Sequence, residues 1–336
     1  MVTLKTIASS CGLSVSAVSQ ILNDRSCDYS SESTRRLVRE TARRLGYRRN
    51  YGYRLMRGQR TRTVTVLTSM AHISNEENIR VLILLILDCL EQEGYTCMLG
   101  SFGDDEEANL DKVREYISRG TEHFIILHTP VGYKKIEELI EGSGKTLMAV
   151  SPHFRRHVYV SSLAATKELV SFLRSQCGDD MRILLASNHI NEHNPRLCAF
   201  CAGFPELSAA EVTSTFVRSY SEFHFNKNRY IQESFNAAYA WTEELLLREP
   251  DVKGVICGND NFALGAASYI VKSGRRLGKD ILLVGFNDDT TVQQYPYPIS
   301  SANHDWDKRV KQIVHHALQE GECRKVFDAR AVIRKA

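Results

Sequence analysis

The sequence predicts an all-α helix-turn-helix head followed by an α/β core of two parallel-sheet subdomains. Three observations carry this. Apolar residues recur at helical spacing in three short runs before residue 46, and strand-like and helix-like stretches alternate from residue 63 onward. Charge is also divided unevenly. Residues 1–62 hold thirteen Lys and Arg against four Asp and Glu, a local charge of +9, while the whole chain carries +3, which leaves −6 for the rest. A small basic head on a mildly acidic body points to a polyanionic partner for the head.

Length and composition exclude several classes. A chain of 336 residues exceeds one ordinary core and suits two or three domains. A 43% hydrophobic share with only 7 Pro and 20 Gly excludes a disordered or fibrous chain. The longest wholly apolar run, Val81–Leu87, falls far short of the roughly 18 residues of a membrane span. No charged, then apolar, then small-residue leader opens the chain. The nine cysteines are scattered, with Cys198 and Cys201 the one close pair, and read as core thiols of a cytoplasmic protein with no membrane partner.

In the head, Leu4, Ile7, Ala8 and Cys11 predict a first helix that Gly12 ends. Ser14 fits the N-cap of a second, with Val18, Ile21 and Leu22 on one apolar face. Ser31 fits the cap of a third, whose Leu37, Val38, Ala42 and Leu45 are expected to face inward before Gly46 stops it. Three short helices with a tight Gly-containing turn describe a helix-turn-helix, whose second helix enters the DNA major groove by its N-terminal end. The outward residues there are Val15, Ser16 and Gln20, with Ala17 and Ser19 close by. Gln pairs bidentately with adenine, Ser bonds several base edges, and Val meets a thymine methyl.

The stretch Thr3-Leu-Lys-Thr-Ile-Ala-Ser-Ser-Cys-Gly-Leu-Ser-Val-Ser-Ala-Val-Ser-Gln-Ile-Leu-Asn23 resembles the opening of the lac repressor (LacI/GalR) family of bacterial transcription factors, as do Ser31-Glu-Ser-Thr-Arg35 and Leu45-Gly-Tyr47. The resemblance implies a DNA-binding domain at 1–49, with contacts from Ser14 to Asn23, and a hinge helix or linker at 50–60. Residues 50–58 are too few for a helix that stands alone in water, which takes roughly 12–15, and Gly52 weakens it further. This segment is therefore expected to fold only when a partner supplies contacts. The resemblance implies that two such hinges lie in the minor groove, with Arg54 at the DNA and Met56 as the wedge where leucine is usual. Tyr53 replaces the small residue that lets paired hinges approach.

In the body, strands are expected at Thr63–Thr68, Thr96–Leu99, His123–Leu127, Thr146–Val150, Val158–Val160, Ile183–Ala186, Val212–Val217, Gly254–Cys257, Ile281–Val284 and Val326–Ile333. Helical patterns separate most of them, at about Asn78–Glu93, Leu110–Arg119, Ala164–Gln176, Tyr230–Arg248 and Phe262–Lys272. Such alternation implies parallel sheets wrapped in helices, with a ligand cleft beyond the strand carboxyl ends. Gly258-Asn-Asp-Asn-Phe-Ala-Leu-Gly265, Ser273-Gly-Arg-Arg-Leu-Gly278 and Val284-Gly-Phe-Asn-Asp288 are similar to recurring motifs of the same family. That likeness implies a periplasmic-binding-protein-like core over 61–336, its first subdomain about 61–160 and 304–321 and its second about 161–303 and 322–336. Val81–Leu87 is apolar on every side, more than one buried face needs, so a dimer contact is expected there. With no leucine-rich tail after the last strand, a homodimer on a near-palindromic double-stranded operator is the expected assembly.

The resemblance also implies a small-molecule effector between the subdomains, touched by Asn259 and Asn287. Two departures matter. The family's Arg-x-x-Gly-aromatic pattern reads Phe200-Cys-Ala-Gly203-Phe204, and its usual aspartate reads Asn287. Losing a guanidinium and a carboxylate removes charged, directional hydrogen bonds suited to vicinal hydroxyls, so the effector is expected not to be a simple sugar. Phe200 is then an expected apolar wall, Ser69 the facing residue of the first subdomain, and Arg196 or Arg229 a source of positive charge. An alternative is a sensor of metal or thiol oxidation through His189, His193, Cys198 and Cys201, whose types suit tetrahedral zinc. These fall near the cleft, with Cys198 and Cys201 expected on an inward-packing helix, and no bound metal or other cofactor is expected. No phosphate-cradling loop or other catalytic constellation stands out, so an enzyme is not expected.

Overall fold

The computed structural model describes residues 2–22, 30–47, 60–186, 195–220 and 230–335. They form two compact units, Met1–Thr61 and Arg62–Ala336.

The head contains α1 (Leu4–Cys11), α2 (Val15–Leu22) and α3 (Glu32–Arg44). Thr3 caps α1 in a reciprocal box with Thr6, and Gly12, at φ +66°, closes it in the left-handed region that glycine enters without penalty. Ile7, Val18, Ile21 and Val38 form its core. Leu37 departs from expectation. It is 48% exposed, because Val38, Thr41 and Ala42 already fill the inward stripe of α3 and Leu37 lies about 100° away from Val38.

The body opens with β1 (Thr63–Ser69), a short α4 (Met70–Asn75), α5 (Glu77–Gln92), β2 (Thr96–Phe102), α6 (Glu106–Ser118), β3 (His123–Ile126), α7 (Tyr133–Gly142), β4 (Thr146–Ala149) and β5 (His157–Ser161). It continues through α8 (Leu163–Cys177), β6 (Met181–Ala186), α9 (Pro195–Cys201), α10 (Ala209–Phe216), β7 (Val217–Tyr220), α11 (Tyr230–Arg248), β8 (Gly254–Cys257), α12 (Asp260–Lys272), β9 (Leu282–Val284) and α13 (Thr290–Gln293). Last come β10 (Ser301–Asn303), α14 (Trp306–Ala317), β11 (Arg324–Asp328) and β12 (Arg330–Val332).

Two parallel sheets result. The first runs β11-β5-β4-β3-β1-β2, the second β7-β6-β8-β9, and β10 pairs antiparallel with β12. Both faces of the first sheet are covered. Val64, Val66 and Ile125 pack on Leu82, Ile86 and Ile313, while Leu67, Phe124 and Ile126 pack on Leu110, Ile136 and Ile140. This double burial is why the central strands β3 and β4 read as short apolar runs without alternation.

Two expectations fail locally. Val212–Val217 is the end of α10 and the first residue of β7, not a strand. Ser208 and Glu211 cap that helix reciprocally, and the cap outweighs the β-branched Val and Thr that follow. Residues 322–336 do not all join the second subdomain. Arg324–Asp328 pairs in parallel with β5, and the chain returns to the second subdomain at Ala329. The chain thus passes between subdomains at 161–163, 303–306 and 328–330. Trp306 and Phe327, at two of these passages, pack against the cores of both halves.

Candidate functional site

The head presents its recognition surface through one cap. Ser14 Oγ accepts from Ala17 N at 3.1 Å, which starts α2 and fixes its direction. Ser14, Val15 and Ser16 are exposed, Ala17, Ser19 and Gln20 are half-buried, and Val18, Ile21 and Leu22 anchor the opposite face. Asn23, Arg54 and Met56 lie outside the described residues.

In the body, a cavity of about 140 Å³ lies between the subdomains. Glu77, Asn78 and Val81 line it from the first, Asn287–Thr290 and Gln293 from the second, and Asn303–Asp307 where the chain crosses from β10 to α14. A larger open groove of about 730 Å³ lies between the end of α5 and α14. It touches only the first subdomain, so a ligand there could not bias how the two halves meet.

The 285–289 loop is held from beneath by Asp260. That fully buried carboxylate accepts from Asp289 N at 2.7 Å and from Ser301 Oγ at 2.8 Å. A Cβ on Gly285 would stand 2.1 Å from Asp260 Oδ1, so only glycine fits there. Beyond it the chain is strained, with Asn287 at φ 108° and Asp288 at φ 55°, a cost of about 1–3 kcal/mol each. Asn287 N donates to Ala302 O at 3.0 Å and Asp288 N to Ser301 Oγ at 3.0 Å, which hold the strained turn. Its side chains then reach across. Asn78 Nδ2 donates to Asn287 Oδ1 at 3.2 Å, and Thr290 donates to Glu77 through its N–H, at 3.2 Å, and through its hydroxyl.

Carboxylates dominate the lining. Asp288 pairs with Arg334 at 2.6 Å, and Asp305 faces Lys308 and Arg330 at 3.4 and 3.8 Å. Burial, with Glu77 and Glu76 adding to it and Arg80 opposing, pushes Asp289 up to about 7. Burial and the neighbouring Asp289 likewise hold Asp260 well above the usual carboxylate range. Between its ordinary value and about 7, Asp289 binds more protons folded than unfolded, so its contribution to stability is lost as pH rises through that window. Asp289→Asn should therefore gain little at about pH 4 and of the order of 2–4 kcal/mol at about pH 8, as read by denaturant unfolding. An equal effect at both pH values would contradict this.

Of the four expected effector contacts among the described residues, Ser69, Phe200, Asn259 and Asn287, only Asn287 lines the cavity. Asn259 caps α12, accepting from Phe262 N at 2.9 Å, and Ser69 caps α4 and bonds His72. Phe200 is not a wall. It is wholly buried and meets Phe286 edge-on at 5.6 Å, because an apolar side chain at that place turns into the core where a guanidinium could not. Arg196 falls on α9 but its side chain, like all of Arg229, lies outside the described residues. So do His189 and His193. Cys198 is exposed and not inward-packed, since Leu197, Ala199 and Phe200 take the buried side of α9, and Cys201 is half-buried. Among the described residues no three His, Cys, Asp or Glu side chains converge on a metal position, and no helix is long and apolar enough to cross a membrane. Glu77, Asn78 and Asp289 escaped sequence reasoning. The one signal available was an acidic pair, Glu76 and Glu77, at the start of a helix.

A profile described as a periplasmic binding protein-like domain matches residues 189–321. The regulator RegA of Clostridium saccharobutylicum is 22% identical over 89% of each chain. The repressor PurR of Vibrio atlanticus is 22% identical over 95% of this chain and 92% of its own. The chain is also similar to a crystal structure of the lac repressor dimer bound to operator and the anti-inducer ONPF, with a TM-score of 0.81 at 19% identity, over 99% of this chain and 98% of that one. Fold, head and cleft together define a helix-turn-helix transcription regulator with a periplasmic-binding-protein-like sensor body. In sequence and fold the chain is similar to regulators of the lac repressor (LacI/GalR) family.

Proposed function

We propose that this regulator is a homodimeric repressor that binds a near-palindromic operator and is controlled by a small molecule held between the two halves of its body, with no catalytic role. The observation that carries the DNA-binding part is a capped α2 with Ser14, Val15 and Ser16 exposed at its start, on a segment of charge +9. α2 reads base edges, and the surrounding arginines set affinity through phosphates. The dimer contact runs along α5, where Leu84 is 65% exposed and Leu87 stands outward beside it while Leu82, Ile83 and Ile86 are buried. Effector control follows from the cavity, since a ligand that touches both subdomains shifts their relative orientation by its differential affinity.

Operator selection from a random library, followed by binding titrations, tests this reading. Gln20→Ala should cost about 1–3 kcal/mol at one base position per half-site. A neutralised exposed arginine of α3, Arg39→Ala, should instead weaken binding to every sequence and flatten the salt dependence. Unchanged sequence preference in Gln20→Ala would refute the groove assignment.

A further inference from the structure

The cavity between the subdomains is acidic and incompletely satisfied. Glu77 lines it from the first subdomain and Asp289 from the second, Asp307 adds a third carboxylate, and none of the three has an ion-pair partner among the described residues. A second, independent observation concerns the amides. Asn78 and Asn287 are more than nine-tenths buried, yet Asn78 Oδ1 and Asn287 Nδ2 have no hydrogen-bond partner, and neither does Asp289 Oδ1 or the indole N–H of Trp306. Buried polar atoms in a native structure are almost always bonded, so these orphans mark a place where something else completes the bonding.

We propose that the effector of this cleft carries a protonated amine, seated between Glu77 of the first subdomain and Asp289 of the second; this rests on the reading of the cleft as the effector site. The sign of the charge decides against anions: Arg80 offsets it only in part, and a carboxylate or phosphate ligand would meet Glu77, Asp289 and Asp307 with no Lys or Arg among the residues that line the cavity. The volume holds roughly four or five waters, enough for an ammonium head group and a few carbons. An ammonium donates three hydrogen bonds, which suits Glu77, Asp289 and the orphan Asn78 Oδ1, while the orphan donors Asn287 Nδ2 and Trp306 Nε1–H call for an acceptor atom elsewhere on the ligand. The carboxylates are spread out and do not converge as metal donors among the described residues, so an organic cation fits where a metal ion does not. Such a ligand couples to DNA binding because it bridges the subdomains and relieves their mutual repulsion. Burial is the main reason that Asp289 is raised, and the neighbouring Glu77 and Glu76 add to it.

Calorimetric titration of the full chain at about pH 8 tests the proposal, with the charge of the ligand varied at constant shape. Propylamine and putrescine are compared with butanediol, succinate, and magnesium or calcium alone. At least one amine should bind, and both Asp289→Asn and Glu77→Gln should weaken it about tenfold or more while the thermal midpoint shows each variant folded. Binding of butanediol or succinate as well as of the amines, binding of the metal ions alone, or no binding by any amine would overturn the amine. If another ligand from a wider metabolite panel binds and is lost in Asn287→Ala, the cleft stands and only its ligand class falls. If every ligand found is indifferent to Asn287→Ala, the cleft reading itself falls.

Discussion

Replacing Phe200 by alanine is expected to destabilise the body by about 3–5 kcal/mol. The side chain has no exposed surface and sits among Leu197, Phe204, Phe286 and the apolar residues of α8. Truncation removes the ring's burial and its edge-on contact with Phe286, and the surrounding side chains cannot collapse fully into the space. Denaturant unfolding measures the loss. A change below about 1 kcal/mol would mean that the ring is solvent-facing and belongs to the cleft after all.

Arg334→Ala should cost a comparable amount, about 3–5 kcal/mol, for a different reason. Only 4% of the Asp288 side chain is exposed, and Arg334 supplies its counter-charge at 2.6 Å. The same guanidinium donates to Ile299 O at 2.8 Å, so it also pins the segment leading into β10. Without it the carboxylate keeps Asn303 Nδ2, at 2.8 Å, but no cation. The cost is chiefly that of an uncompensated buried charge, so adding Asp288→Asn should recover much of it. An additive double variant would show that the two residues act separately.

How far the sequence foretold this molecule depends on the distance over which each feature is assembled. The head was legible almost to the residue because its signals are local: Ser14 caps a helix three residues away, and Gly12 ends one that has just been counted. Leu37 misled because a polar threonine, Thr41, takes a place in the apolar stripe. The strand–helix alternation was legible for the same local reason, while Val212–Val217 failed where β-branched residues followed a capping box. The cleft was hardest. Asn287 was visible through its motif, but its partners Asn78 and Glu77 lie more than 200 residues earlier, as first-turn residues of a helix that reads as ordinary. Phe200 was assigned by the place it occupies in a pattern, and a change from Arg to Phe reverses which way such a side chain turns.

The threefold passage of the chain between the halves of the body bears on how the protein is made. The first sheet takes its edge strand from residues 324–328 and one covering helix from Trp306–Ala317, so neither is present while the ribosome is still reading the second half. A nascent chain of 250 residues would hold β1 to β5 with the α14 side of that sheet covered only in part, by α5, which leaves apolar surface prone to wrong associations. The head, by contrast, closes within its first 61 residues and needs nothing downstream. Synthesis therefore proceeds with a finished helical cap trailing an unfinished sheet. The last step is insertion of β11 beside β5, a pairing that spans more than 160 residues of chain and is slow for the loop entropy it must overcome. Chaperone dependence should track the release of the C-terminal strands and be indifferent to substitutions in the head.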